Sequence, residues 1–112
     1  MSLILIPIVD SKLENWKQWI TDLENGRAAE FKDFNSRYGL TRHSVWLAET
    51  PSGPVAAVLH EGPGSENFMS ELATSDHDFD VWFKQRVNEV HNIDISKPFP
   101  GSPPQLFLNS VK

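Results

Sequence analysis

The spacing of apolar positions changes repeatedly along the chain, and each change predicts an element. Leu3 to Val9 is an apolar run without polar alternation, the pattern of a central strand buried on both faces. Pro7 has no N–H for a ladder, so pairing should weaken there. From Ser11 to Tyr38 the spacing becomes helical. Ser11 and Glu14 fit a capping box, Leu13, Trp16, Ile20 and Leu23 share one face, and Phe31 and Phe34 resume the stripe beyond Gly26. One helix with a weak point at Asn25-Gly26 is expected, two consecutive helices being the other arrangement that fits. Gly39 suits the position just past its end.

Arg42 to Thr50 and Val55 to Glu61 flank Pro51-Ser-Gly-Pro54, the clearest hairpin signal in the chain. A two-residue turn at Ser52-Gly53 would oppose Trp46 to Leu59, Ala48 to Ala57 and Val45 to His60. Side chains alternate across a sheet. Val45, Leu47, Val58 and His60, with His43 diagonal to His60, would therefore share one face. Ser44, Trp46, Ala57, Leu59 and Glu61 would share the other. Gly62 to Asn67 reads as a loop, Phe68 to Leu72 as a short helical turn, and Asp78 to His91 as a second helix starting near Ser75 or Asp76. Phe79, Trp82, Phe83, Val87 and Val90 form its apolar face. Pro98, Pro100, Pro103 and Pro104 make residues 97–104 an extended connector, after which Gln105 to Val111 is apolar enough for a last strand.

Taken in order these elements spell βαββαβ, an α+β ferredoxin-like plan with an antiparallel sheet, in one domain spanning residues 1–112. Helices cover one face of such a sheet. The other face is expected to be buried against a second copy.

Length and composition narrow the partners. A chain of 112 residues with 39% hydrophobic content can bury one modest core. A net charge of −5 argues against nucleic acid and against an anionic membrane surface, and no apolar run reaches the length of a membrane span. Met1 to Val9 lacks the basic start and cleavage site of an export signal, so a cytoplasmic location is expected. With no cysteine, disulfides, thiolate metal sites and cysteine nucleophiles are excluded. Phosphate-loop and nucleophile-elbow motifs are missing as well. Arg27, Arg37, Arg42 and Arg86 are scattered rather than forming a basic aromatic stripe.

His43 and His60 are the one cluster of titratable groups that the pattern assembles. Two imidazoles could ligate a divalent ion, but no third ligand is spaced to join them, and the simpler reading packs one histidine against a helix and sets the other at a strand end. Asp76-His-Asp-Phe-Asp80 lacks the glycine and closing glutamate of a calcium loop and reads as a solvated helix start, with Asp80 and Lys84 as an ordinary surface pair. His77 and His91 read as helix-end residues. Trp46, with Ser44 and Glu61, would face a cavity or a subunit interface.

The hairpin from Trp46-Leu-Ala-Glu-Thr-Pro-Ser-Gly53 through Val58-Leu-His-Glu-Gly62 resembles that of a small group within the dimeric α+β barrel superfamily. Phe79-Asp-Val-Trp-Phe83, Glu89-Val-His91 and the proline-rich exit share that resemblance. It implies a ferredoxin-like protomer in a homodimer, distantly similar to antibiotic-biosynthesis-type monooxygenases that work without a cofactor. Haem-degrading relatives use a first-strand asparagine and a third-strand tryptophan. Leu3 to Val9 and Val55 to Glu61 contain neither, and His77 or His91 alone would not replace them. The expectation is a homodimer binding a small apolar or aromatic molecule, with a cofactor-independent monooxygenase as the activity the resemblance suggests, Trp46, His60 and Glu61 as the ligand-binding candidates and no cofactor. On the register above, His60 lies on the face opposite the other two. The competing expectation is a non-catalytic structural or interaction dimer. No catalytic residue is assignable from the pattern.

Overall fold

A computed structural model describes residues 1–97 and 104–111. The described elements are β1 (Ser2–Pro7), α1 (Leu13–Glu24), α2 (Ala28–Arg37), β2 (Arg42–Thr50), β3 (Gly53–Glu61), α3 (Phe68–Ala73) and α4 (Asp78–His91), with a 3-10 turn at Asp10–Lys12 before α1. The chain is an α+β protein built on a three-stranded antiparallel sheet in the order β1-β3-β2.

Several expectations change against this architecture. The stretch from Ser11 to Tyr38 is two helices, because the α-helical ladder stops at Asn25, Gly26 and Arg27. Ser11 does not cap: it lies in the 3-10 turn, and α1 begins after Lys12 without a side-chain cap. β1 is an edge strand among the described residues, and β3 is the central one. Ile4 and Ile6 are buried while Leu3 and Leu5 are exposed, so the run is apolar for a reason other than two-sided burial under helices. Gln105 to Val111 forms no strand and lies exposed; most of the expected connector falls outside the described residues.

The hairpin is shifted from the expected register. Thr50 pairs with Gly53, so Pro51-Ser52 forms the turn and partners sum to 103 instead of 105. Thr50 stabilises this turn through its hydroxyl, which donates to the Gly53 carbonyl at 2.8 Å and accepts from the Ser52 N–H at 3.2 Å. A shift of two keeps side-chain parity. Every residue therefore stays on the face expected of it, while His43 moves from diagonal to directly opposite His60.

The helices pack on the face carrying Ile4, Ile6, Val45, Ala56, Val58 and His60. Phe34, fully buried, lies at the centre of the core, with ring centroids of Phe68, Phe79 and Phe83 at 5.6, 5.2 and 4.7 Å. Two contacts fasten the end of β1 to the end of α4. The Val9 N–H donates to the Val90 carbonyl at 2.9 Å, and His91 Nδ1 donates to the Pro7 carbonyl at 2.8 Å. His91 is thus buried and bonded across the fold, not to the last carbonyls of its own helix.

Candidate ligand chamber beneath the sheet

Between the helices and the covered sheet face lies a chamber of about 60 Å³. Its walls are almost wholly apolar, with Ile4 and Ile6 from β1, Trp16, Trp19 and Leu23 from α1, and Phe83 and Val87 from α4. The strand alternation that buries Ile4 and Ile6 also brings His43 and His60 to this wall, and α4 adds His91.

His43 and His60 are bonded to each other, Nε2 to Nε2 at 3.3 Å. Asn35 Oδ1 lies 2.9 Å from His43 Nδ1 and, being an acceptor, fixes that nitrogen as the protonated one. His43 Nε2 is then the acceptor and His60 Nε2 the donor. The proton inventory leaves His60 Nδ1 with a lone pair, and this buried nitrogen has no hydrogen-bond partner. The pair sits among Phe31, Phe34, Phe68 and Phe83. Burial in this aromatic cage pushes His43 down to about 3, helped by His60, and pushes His60 down to about 4. Both rings are neutral at pH 7.

His91 is also lowered, by burial, against the opposing effect of its bond to Pro7. Because Nδ1 donates to that carbonyl, Nε2 carries the lone pair. The buried Trp19 indole N–H has no partner. An open groove of about 370 Å³ runs outside the chamber and shares Leu23, Phe31 and His43 with it.

The sequence candidates divide between the two sheet faces. His60 is in the chamber wall. Trp46 and Glu61 are on the uncovered face, where the Arg42 guanidinium bonds Glu61 at 3.2 Å and lies 5.7 Å from the Trp46 ring centre. No group of three or more His, Asp or Glu among the described residues is placed to hold a metal ion, so His43 and His60 lack the further ligand that a metal would need.

Asp80 departs most from its sequence reading. It is fully buried in the first turn of α4 and accepts from Arg37 at 2.6 and 3.1 Å, Tyr38 Oη at 2.5 Å and Ser75 Oγ at 2.6 Å. Burial would raise its carboxyl, but the bonds from Arg37, Ser75 and Tyr38 prevail and hold it at about 2. Lys84 turns away and donates to the Ser75 carbonyl at 2.7 Å. Nothing local in Asp76 to Asp80 signals this network, since its cation arrives from α2. His77 caps α4, accepting from the Phe79 N–H at 3.3 Å.

No protein-family model, curated protein or solved structure matches the chain.

Proposed function

We propose that the protein binds a small apolar molecule in the chamber and works as a homodimer joined through its uncovered sheet faces. The observation that carries the first part is the chamber itself, an apolar space with a few polar atoms in its wall, the usual character of a small-molecule site. Cavities of about 150 Å³ accept benzene. At about 60 Å³, this chamber takes a smaller molecule, or a larger one only as Phe31 and His43 yield toward the outer groove.

The second part rests on the uncovered face. Leu3 and Leu5 of β1, Ala57 and Leu59 of β3 and Trp46 of β2 form a continuous apolar surface by their register, and Leu5 and Trp46 remain about half exposed. Packing this surface against its equal on a second copy would complete a dimeric α+β barrel with ferredoxin-like protomers. Trp46 and Glu61 belong to that interface on this reading, and His60 to the chamber. Cofactor-independent oxygen chemistry is compatible with the apolar chamber. Neutral imidazoles this hard to protonate serve as hydrogen-bond acceptors and not as bases, which suits binding over catalysis. No helix among the described residues is long and apolar enough to cross a membrane.

A non-catalytic interaction dimer is the second reading, favoured by the small chamber volume. Native mass spectrometry of freshly purified full-length protein separates the two. A dimer carrying a discrete extra mass supports ligand binding. A bare dimer that also takes up no xenon under pressure leaves the interaction reading, and a bare monomer overturns the dimer.

A further inference from the structure

Resting on the chamber reading, we infer that the bound molecule carries a neutral hydroxyl group that donates to one imidazole nitrogen of the chamber wall and accepts from the Trp19 indole N–H. Three side chains define this chemistry. His60 Nδ1 is buried and without a partner, and the bonds from Asn35 through His43 leave it an acceptor. His91 Nε2 is an acceptor because Nδ1 donates to Pro7. The buried Trp19 N–H is an unused donor. All three residues line the one chamber.

Buried polar groups left unpaired are rare and costly. A hydroxyl donates one hydrogen bond and accepts others, so it can serve an imidazole lone pair and the indole N–H together. An ether or ketone only accepts, and would leave the buried His60 Nδ1 unpaired. A carboxylate or ammonium would bring a full charge into a wall that offers no counter-charge, a far larger penalty. The neutral imidazoles agree with this selection, since neither supplies a positive charge at pH 7.

Propan-2-ol and its isomer methoxyethane test the assignment, because they match in atoms and differ in the hydroxyl proton. Each is titrated into the full chain, labelled with ¹⁵N, while the imidazole nitrogen resonances are followed. The alcohol should bind about tenfold more tightly, the span of a hydrogen bond made against one left unmade. It should also shift the unprotonated nitrogen of His60 or His91, and His60→Phe should bring its affinity down toward that of the ether. Equal binding, a preference for the ether, or alcohol binding that leaves both imidazoles unmoved overturns the hydroxyl assignment while the apolar chamber stands. If neither isomer enters, the chamber reading fails with it. The comparison within the native protein decides the question even if the variant does not fold.

Discussion

The Arg37 guanidinium holds the fully buried Asp80 carboxylate through two hydrogen bonds, at 2.6 and 3.1 Å, and so ties α2 to α4. The two helices form opposite walls of the space in which Phe34 stacks on Phe83 at 4.7 Å, so the ion pair fixes the roof above the histidines. A bidentate guanidinium–carboxylate pair sets orientation as well as distance. Its location at the end of α2 and the start of α4 sets how far those helices can part.

Removing one partner from a buried pair leaves the other uncompensated. Asp80→Asn should therefore lower the unfolding free energy by about 3 kcal/mol, the lower end for such pairs because Arg37 keeps partial access to water. Tyr38→Phe removes one bond to the same carboxylate and should cost about 1 kcal/mol. Urea denaturation monitored by tryptophan fluorescence measures both. A loss under 1 kcal/mol for Asp80→Asn would mean that the pair is not holding the helices.

Acid should unfold the protein through its buried imidazoles. His43 and His60 are held near 3 and 4, against an ordinary value of 6.5. Below pH 6.5 the unfolded chain gains protons there that the folded chain refuses, so stability present above pH 6.5 is lost as pH falls through the folded values. The slope is about 1.4 kcal/mol per pH unit for each histidine. Asp80 contributes in the same direction only lower, between its ordinary 3.8 and about 2. Urea midpoints at pH 7, 6, 5 and 4 should fall steeply from pH 6 downward, and His60→Gln should flatten that fall. A midpoint constant from pH 7 to pH 4 would contradict the neutral, buried pair.

The loop after β3 predicts a sharp intolerance. A Cβ on Gly64 would overlap the Tyr38 carbonyl oxygen, and one on Gly62 would overlap the Gly39 carbonyl oxygen, at a backbone φ of +125°. The loop thus lies directly against the end of α2 and seats Phe68 beside Tyr38, ring centroids 5.1 Å apart. Gly64→Ala should cost at least about 2 kcal/mol through overpacking that backbone cannot relieve. Gly26→Ala, where the nearest heavy atom is 3.9 Å away, is the control and should change the thermal midpoint little.

How much of this was legible in the sequence depends on whether the deciding contact is local. The faces of the hairpin were readable because alternation survives any even shift, and the observed shift is two. The register itself was not, because Thr50 closes the turn with its hydroxyl, moving the corner back to Pro51-Ser52. α4 was readable from its own aromatic spacing over Asp78–His91, although it starts at Asp78, capped by His77, and not near Ser75 or Asp76. The ion pair of Asp80 was not, because Arg37 is 43 residues away. His60 was found as a candidate by face. The involvement of Asn35, Trp19 and His91 required the helices to be placed over the sheet. Trp46 and Glu61 were grouped with each other correctly, and apart from His60.

The uncovered face yields the prediction that bears on the assembly. Leu5 at the edge strand and Trp46 at the other side of the sheet are 53% and 48% exposed, too much apolar surface at two corners of one patch to leave in water without cost. A charge placed there would be solvated in a monomer and buried in a dimer, where an unpaired carboxylate is strongly unfavourable. Leu5→Asp and Trp46→Asp should each convert the proposed dimer to a monomer in size-exclusion chromatography with light scattering. Helical circular dichroism should be retained, because neither residue belongs to the buried core cluster. His60→Gln, on the covered face, should leave the proposed dimer intact. If both aspartate variants stay dimeric, the copies meet elsewhere, and the exposed apolar residues Leu106, Phe107 and Leu108 become the surface to change next.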